Sequence, residues 1–151
     1  MTGTLFTLTF AVAAPFWALM ILLPHWSGTA RIISSPLIVL PVLVIYAVLV
    51  LPAIADVLPA VASPSLGGIR DLLGTADGAA AAWAHMIAFD LFVGRWAWLD
   101  SRDRGVPALV MAPVLVLTIL LGPLGLAGYL AVRTGWPGSA AAAGPEPQRL
   151  G

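Results

Sequence analysis

The chain has 151 residues, 60% of them hydrophobic and 9% charged, with a formal net charge of zero. Ordinary globular domains hold roughly 45–50% apolar and about 25% charged residues, so this chain is too apolar for a water-soluble domain. Seven arginines, with no lysine, balance seven acidic residues and leave no basic face for nucleic acid; the absence of cysteine removes disulfides, thiolate catalysis and thiolate metal sites together.

A helix crosses the hydrocarbon core with about 20 apolar residues, and four segments are long enough. The first runs from about Thr4 to Leu23 and ends at Pro24-His25-Trp26-Ser27-Gly28. No positive n-region precedes it, so it reads as a retained span and not a cleaved signal. The second runs from about Pro36 to Ile54 and is followed by Asp56 and Pro59. The connection from Asp56 to Gly78 is the one long link, and Leu66 to Leu73 within it predicts a short interfacial helix or a plain loop. The third span covers about Ala79 to Leu99 and the fourth about Pro107 to Val132, with a kink at Pro123 where the ring clashes with the carbonyl of Ile119. Pro15 and Pro41 predict similar distortion in spans one and two. From 134 to 151 the apolar period disappears, which predicts a disordered tail. The expected fold class is therefore all-α: an integral membrane four-helix bundle with kinked spans over 1–133 (about 4–23, 36–54, 79–99 and 107–132), and a tail after it.

With four spans, Arg31, Arg102 and Arg104 fall on one side, with Arg95 nearby, and Arg70, Arg133 and Arg149 on the other. The excess of one or two arginines makes the first side cytoplasmic and puts both termini outside.

The third span carries the chemistry. Within Trp83-Ala84-His85-Met86-Ile87-Ala88-Phe89-Asp90-Leu91-Phe92-Val93-Gly94-Arg95-Trp96, an imidazole, a carboxylate and a guanidinium interrupt an apolar run. A central Asp or Arg costs about 2.5 to 3.5 kcal/mol to insert, while each Leu, Ile, Phe or Val returns about 0.3 to 0.6. Asp90 alone roughly cancels the apolar gain of its span. Ionisable groups at such depth ordinarily face a bundle interior or a cavity and mark a site. At roughly 100° per residue, Asp90 lies about 140° around the helix from His85, and Arg95 a further 140° on. One ideal helix cannot gather the three, so each needs partners elsewhere. The available partners are Thr7, Thr9, Tyr46, Thr118, Arg31 and Asp56. Against the functional reading stands a structural one, in which Asp90 and Arg95 are interhelical hydrogen-bonding glue and Arg95 snorkels beside Trp96 and Trp98.

Gly122, Gly125 and Gly128 let a backbone or a flat ligand come close, or simply form a packing face. The tryptophans mostly sit at predicted span ends as an aromatic belt; Trp83 and Phe89 alternatively line an apolar ligand groove. The two histidines, His25 and His85, lack metal-ligand spacing. No phosphate-binding glycine loop or nucleophile elbow is present, and Asp100-Ser101-Arg102-Asp103-Arg104 reads as a solvated turn.

The third-span motif, followed by Asp100 and Gly122-Pro123-Leu124-Gly125, resembles the abscisic-acid-deficient-4 (neoxanthin synthase-like) membrane family. Pro15-Phe16-Trp17-Ala18-Leu19-Met20, Pro24, Thr29, Arg31 and Ser34-Ser35 agree with it, so the resemblance extends to about Arg133. It implies a small four-span protein whose plant members are plastid proteins needed to convert violaxanthin into the allenic neoxanthin. Gly94 and Trp96 depart from the plant motif and no transit peptide precedes the chain; the resemblance implies a bacterial member in the cell membrane, and carries the fold further than the substrate.

Two classes of function follow. One is an acid–base isomerase of the epoxide-opening type acting on a carotenoid or related polyene, which needs an acid at the epoxide oxygen and a base at a neighbouring C–H. His85 and Asp90 are its acid–base candidates, Arg95 its electrostatic stabiliser, and Trp83, Phe89, Tyr46, Gly122, Gly125 and Arg31 its ligand-binding candidates. The other is a non-enzymatic carotenoid- or lipid-binding or scaffold protein. Expected partners are membrane lipid, a carotenoid or other apolar ligand, and a second copy or a partner carotenoid enzyme; no cofactor or metal is specified. A transporter without an internal repeat would also need a second copy.

Overall fold

The computed structural model describes residues 1–137, and every regular element among them is helical. Eight α-helices follow in order: α1 (Thr2–Leu22), α2 (Ser27–Ser34), α3 (Leu40–Val50), α4 (Ile54–Ala62), α5 (Leu66–Leu73), α6 (Ala76–Asp103), α7 (Ala108–Leu120) and α8 (Gly122–Thr134). Residues 138–151, where most of the tail was expected, lie outside the described residues.

Two stretches among the described residues are long and apolar enough to cross a membrane: α1 and Pro36–Ala62. The second is longer than the expected 36–54. It joins a 3₁₀ turn at Pro36–Val39, α3, a 3₁₀ turn at Leu51–Ala53 and α4. Pro41 falls in the first turn of α3, where its missing amide costs nothing; Pro52 sits in the 3₁₀ turn that interrupts the α-helical ladder. Pro15 is accommodated inside α1. The expected short helix at Leu66–Leu73 is α5, opened by the Ser65 hydroxyl accepting from the amide of Gly68 at 3.1 Å.

The third predicted span is present as a helix but outruns its expected limits. Thr75 caps α6 by accepting from the Gly78 amide at 2.9 Å. The far end stops at Arg104-Gly105, where Gly105 takes φ 72°, a left-handed conformation glycine adopts without strain. With Asp77, Asp90, Arg95, Asp100, Arg102 and Asp103 along it, α6 does not rank with the two apolar stretches. It is the central post of the fold. At 1.5 Å per residue its length is about 42 Å, with Asp90 close to the midpoint.

α1 runs parallel to α6. The Thr2 hydroxyl donates to the Asp77 carboxylate at one end, the Trp17 ring lies on Gly94 further along, and Met20 meets Trp98 and Ser101 near the other end. The Pro36–Ala62 stretch runs antiparallel to α6: Ser35 meets Arg95, Tyr46 meets His85, and Val50 meets Gly78. The core between these elements holds Trp17, Met20, Leu91, Trp98, Leu115 and Tyr129, all buried.

The fourth predicted span is corrected. Residues 107–132 do not form one kinked helix; α7 and α8 fold back on each other at Leu121, whose φ −147° and ψ 66° end the first helix. A Cβ placed on Gly125 would collide with the backbone and hydroxyl of Thr118, and Gly128 faces Leu117, contacts that a continuous helix would hold at least 10 Å apart. Only glycine permits so close an approach. The start of α7 is tied to the end of α6 by the Val106 amide donating to the Ser101 carbonyl at 2.9 Å. The end of α8 returns to the same place, where Tyr129 and Arg133 reach Asp100. The hairpin tip meets the middle of α6, with Gly122 against the Asp90 carboxylate.

Outside the core, large apolar side chains such as Phe6, Phe10, Val44, Val48, Phe92 and Leu124 are exposed on several sides. Large exposed apolar patches are rare on soluble monomers.

Candidate functional site

The third-span residues diverge, as the 100° rotation requires. His85 turns toward α3, Asp90 toward the tip of the α7–α8 hairpin, and Arg95 toward the end of α2. They do not meet in one site.

Arg95 is occupied. Its Nε donates to the carbonyls of Ile33 at 2.8 Å and Ser35 at 3.2 Å, and its Nη2 donates to that of Ser34. These carbonyls close the C-terminus of α2, where no following turn satisfies them and the helix dipole favours a cation. Asp90 is half-buried against Gly122, the first residue of α8, and accepts no hydrogen bond among the described residues. Pro123 follows in the same turn, so one amide that a carboxylate would otherwise seek is missing.

His85 alone of the three faces open space. Its ring lies 4.7 Å from that of Phe89 and 5.7 Å from that of Tyr46, centroid to centroid. Neither the imidazole nor the Tyr46 hydroxyl has a hydrogen-bond partner among the described residues. On one side of this aromatic cluster is a cleft of about 300 Å³ between α3, α4, α5 and α6, lined by Tyr46, Val50, Leu72, Ala81, His85 and Met86 among others. On the other is a cleft of about 340 Å³ lined by Val39, Leu43, Ala88, Phe89 and Phe92. Both follow the α3–α6 seam. From Gly78 to Phe92 they extend along about 21 Å of α6. Their walls are almost wholly hydrocarbon, and the imidazole and phenol are the polar groups at the junction.

The remaining ligand-binding candidates separate. Phe89 and Tyr46 line the groove. Trp83 faces α1 and stacks on Phe6 at 5.4 Å. Gly122 and Gly125 serve close packing against Asp90 and Thr118, and Arg31 is exposed on α2, away from the seam. Of the expected polar partners only Tyr46 reaches a third-span group. Thr7, Thr9 and Thr118 donate to the carbonyls of Gly3, Leu5 and Val114 within their own helices.

A second polar cluster, which the sequence alone does not bring together, lies where α6 ends. The segment taken for a solvated turn holds Asp100, whose Oδ2 accepts from Arg104 Nε at 2.7 Å, from Arg133 Nε at 2.9 Å and from the Tyr129 hydroxyl. Arg104 also donates to the Trp136 carbonyl at 3.2 Å, Arg133 lies over the Trp96 ring, and Trp96 meets Tyr129 edge-on at 5.3 Å. Partial burial pushes the Asp100 carboxyl up, but the hydrogen bonds from Arg104 and Tyr129 and the two guanidinium charges outweigh it and hold the group below the usual carboxylate range. The spacing contained the signal: Asp100 and Arg104 are four apart, as are Tyr129 and Arg133, so each pair shares a helix face.

The described residues define an all-helical fold with two membrane-length apolar stretches packed on α6 and its polar motif. Residues 4–129 match the model of the ABA DEFICIENT 4-like family, and the chain belongs to that family. None of the curated proteins and none of the solved structures compared with it matches.

Proposed function

We propose that the chain is embedded in a lipid bilayer and binds an elongated apolar ligand of the carotenoid or polyene type along the α3–α6 seam. Three segments cross in this reading, α1, Pro36–Ala62 and the part of α6 from about Ala79 to Leu99, with Asp100 beyond the hydrocarbon, and the α7–α8 hairpin enters from one side and returns to it. The observation that carries the binding reading is the pair of apolar clefts in line along about 21 Å of α6, with free imidazole and phenol groups between them. A stiff polyene suits two apolar clefts set in line, because bilayer lipid competes with it only through the same apolar contacts.

Acid–base isomerisation of an epoxycarotenoid is the reaction this arrangement supports. The Tyr46 hydroxyl delivers a proton to the epoxide oxygen as the C–O bond opens, and the His85 imidazole removes a proton from a neighbouring carbon, so that a new C=C forms with no net redox change. Asp90 and Arg95 hold the helices in register in this scheme and do not touch the ligand. A second reading, unreactive binding, is favoured by one observation: Arg95 is taken up by backbone carbonyls and Asp90 faces the hairpin and not the seam, which leaves His85 with a weak acid as its partner.

Expression in a host that accumulates a defined epoxycarotenoid, followed by mass and retention analysis of the pigments, tests both. Conversion by the intact chain that is lost in His85→Ala and Tyr46→Phe supports isomerisation. Unchanged pigment co-purifying with the intact chain supports binding alone, and pigment that never co-purifies and is never converted removes the groove reading.

A further inference from the structure

Among the described residues, the charged side chains other than Asp90 are divided between the two ends of the fold. Arg31, Arg95, Arg102, Arg104 and Arg133 gather with Asp100 and Asp103 at the end where α6 stops, an excess of three positive charges. Arg70 stands with Asp56, Asp71 and Asp77 at the other, an excess of two negative charges. Folding back the hairpin moves Arg133 to the arginine-rich end, and the positive-inside rule then places that end on the cytoplasmic face by a wide margin. That face carries the anionic lipids.

At this end an open pocket of about 330 Å³ is lined by Arg104, Leu130, Arg133 and Thr134. Its charge is unbalanced: two guanidiniums share the single carboxylate of Asp100. Each guanidinium commits Nε to Asp100, and Arg104 commits Nη1 to the Trp136 carbonyl. Both terminal nitrogens of Arg133 and Nη2 of Arg104 have no hydrogen-bond partner among the described residues. Trp96 beneath Arg133 and Asp100 behind both hold the two forks in place, so little side-chain freedom is lost when an anion arrives. Exposed Leu130 supplies an apolar wall beside them.

We propose that this pocket binds the phosphate of an anionic glycerophospholipid, with Arg133 and Arg104 donating to the phosphate oxygens and Leu130 against the glycerol and upper acyl chain. Planar guanidiniums with parallel free N–H groups match phosphate geometry. The site lies on the hairpin's return helix, so an occupied pocket ties α8 to α6 through Asp100 and stabilises the re-entrant fold. The proposal rests on the bilayer placement above.

The full chain in a neutral detergent is titrated with short-chain phosphatidylglycerol, short-chain phosphatidylcholine or inorganic phosphate while thermal unfolding is followed. Phosphatidylglycerol is expected to raise the melting temperature and to bind more tightly than phosphatidylcholine by about fivefold for each guanidinium engaged. Thr134→Glu, which adds a carboxylate at the pocket mouth and leaves the Asp100 contacts intact, abolishes the preference, as does Arg133→Gln. Arg102→Gln, which alters a neighbouring arginine outside the pocket, preserves it. An equal loss in Arg102→Gln means diffuse charge attraction and overturns the site. So does a full stabilisation by inorganic phosphate, which would make it a free-anion site, or equal affinity for the two lipids. Alkaline carbonate washing of membranes separates this failure from that of the bilayer reading: release of the chain into the wash removes the latter, and retention without lipid preference removes only the pocket.

Discussion

Replacing Arg95 with alanine tests whether the third-span guanidinium builds the fold or serves a ligand. α2 has eight residues, too few to persist without tertiary support. Its terminal carbonyls, at Ile33 and Ser34, and that of Ser35 just beyond all accept from the Arg95 guanidinium. Hydrogen bonds to a charged donor contribute about 1.5 to 3 kcal/mol each, and a cation at a helix C-terminus adds about 0.3 to 1 kcal/mol. Ser34 is exposed, so its carbonyl regains water in the variant, whereas Ile33 is buried and its surroundings gain little. Taking two effective bonds and discounting one for rehydration, Arg95→Ala destabilises by about 2 to 4 kcal/mol. Arg95→Lys recovers less than half, because one ammonium cannot reproduce the fork. Denaturant unfolding of the detergent-solubilised chain, with hydrogen exchange over residues 27–35, reads both effects. The amides of α2 should lose protection first. A change below about 0.5 kcal/mol, with α2 equally protected and ligand binding abolished, would return Arg95 to the ligand site and refute the packing role.

Three further outcomes follow from the geometry. Gly94→Ala puts a methyl group where the buried Trp17 ring lies and should cost about 1 to 3 kcal/mol in the same unfolding assay; a neutral result would mean that α1 and α6 are farther apart. Because the Asp100 carboxyl titrates below its unfolded value, its share of stability is complete above the ordinary carboxyl pKa. That share declines as pH falls through the depressed folded value. Thermal scans of the intact chain should therefore drop toward acid in that window, and Asp100→Asn should lack that component while being less stable at neutral pH. The chain has no cysteine, so single cysteines at Thr2, Asp103, Leu121 and Thr134 can be labelled in oriented vesicles. Asp103 and Thr134 should react from one face, Thr2 from the other, and Leu121 from neither; Thr2 and Thr134 reacting together would restore a four-span arrangement.

Much of the scaffold was legible because hydrophobic length is a property of local sequence. The first span, the helix around His85 to Arg95 and the short helix at Leu66–Leu73 all follow from runs, caps and polar interruptions. The divergence of His85, Asp90 and Arg95 also followed from helical rotation alone, although the sequence reading still placed all three in one reaction. The hairpin was not legible. A proline and three glycines within an apolar run describe a kinked span and a folded-back pair equally well, and the choice depends on Gly125 finding Thr118, a tertiary contact. Arg133 was misplaced for the same reason, and with it the partner that turns Asp100 from a solvent-facing residue into the hub of three donors. Arg95 posed a different difficulty. Its acceptors are backbone carbonyls, which no side-chain pattern announces.

The folded-back pair also bears on how the chain is made. In the bilayer placement proposed above, a segment that dips in and comes out where it entered carries no ion across the hydrocarbon. Arg133 stays in the compartment of synthesis. What must be immersed is the leucine-rich bend, which packs halfway down against the acid of the central post. Insertion of the last quarter can therefore wait until that post is already standing.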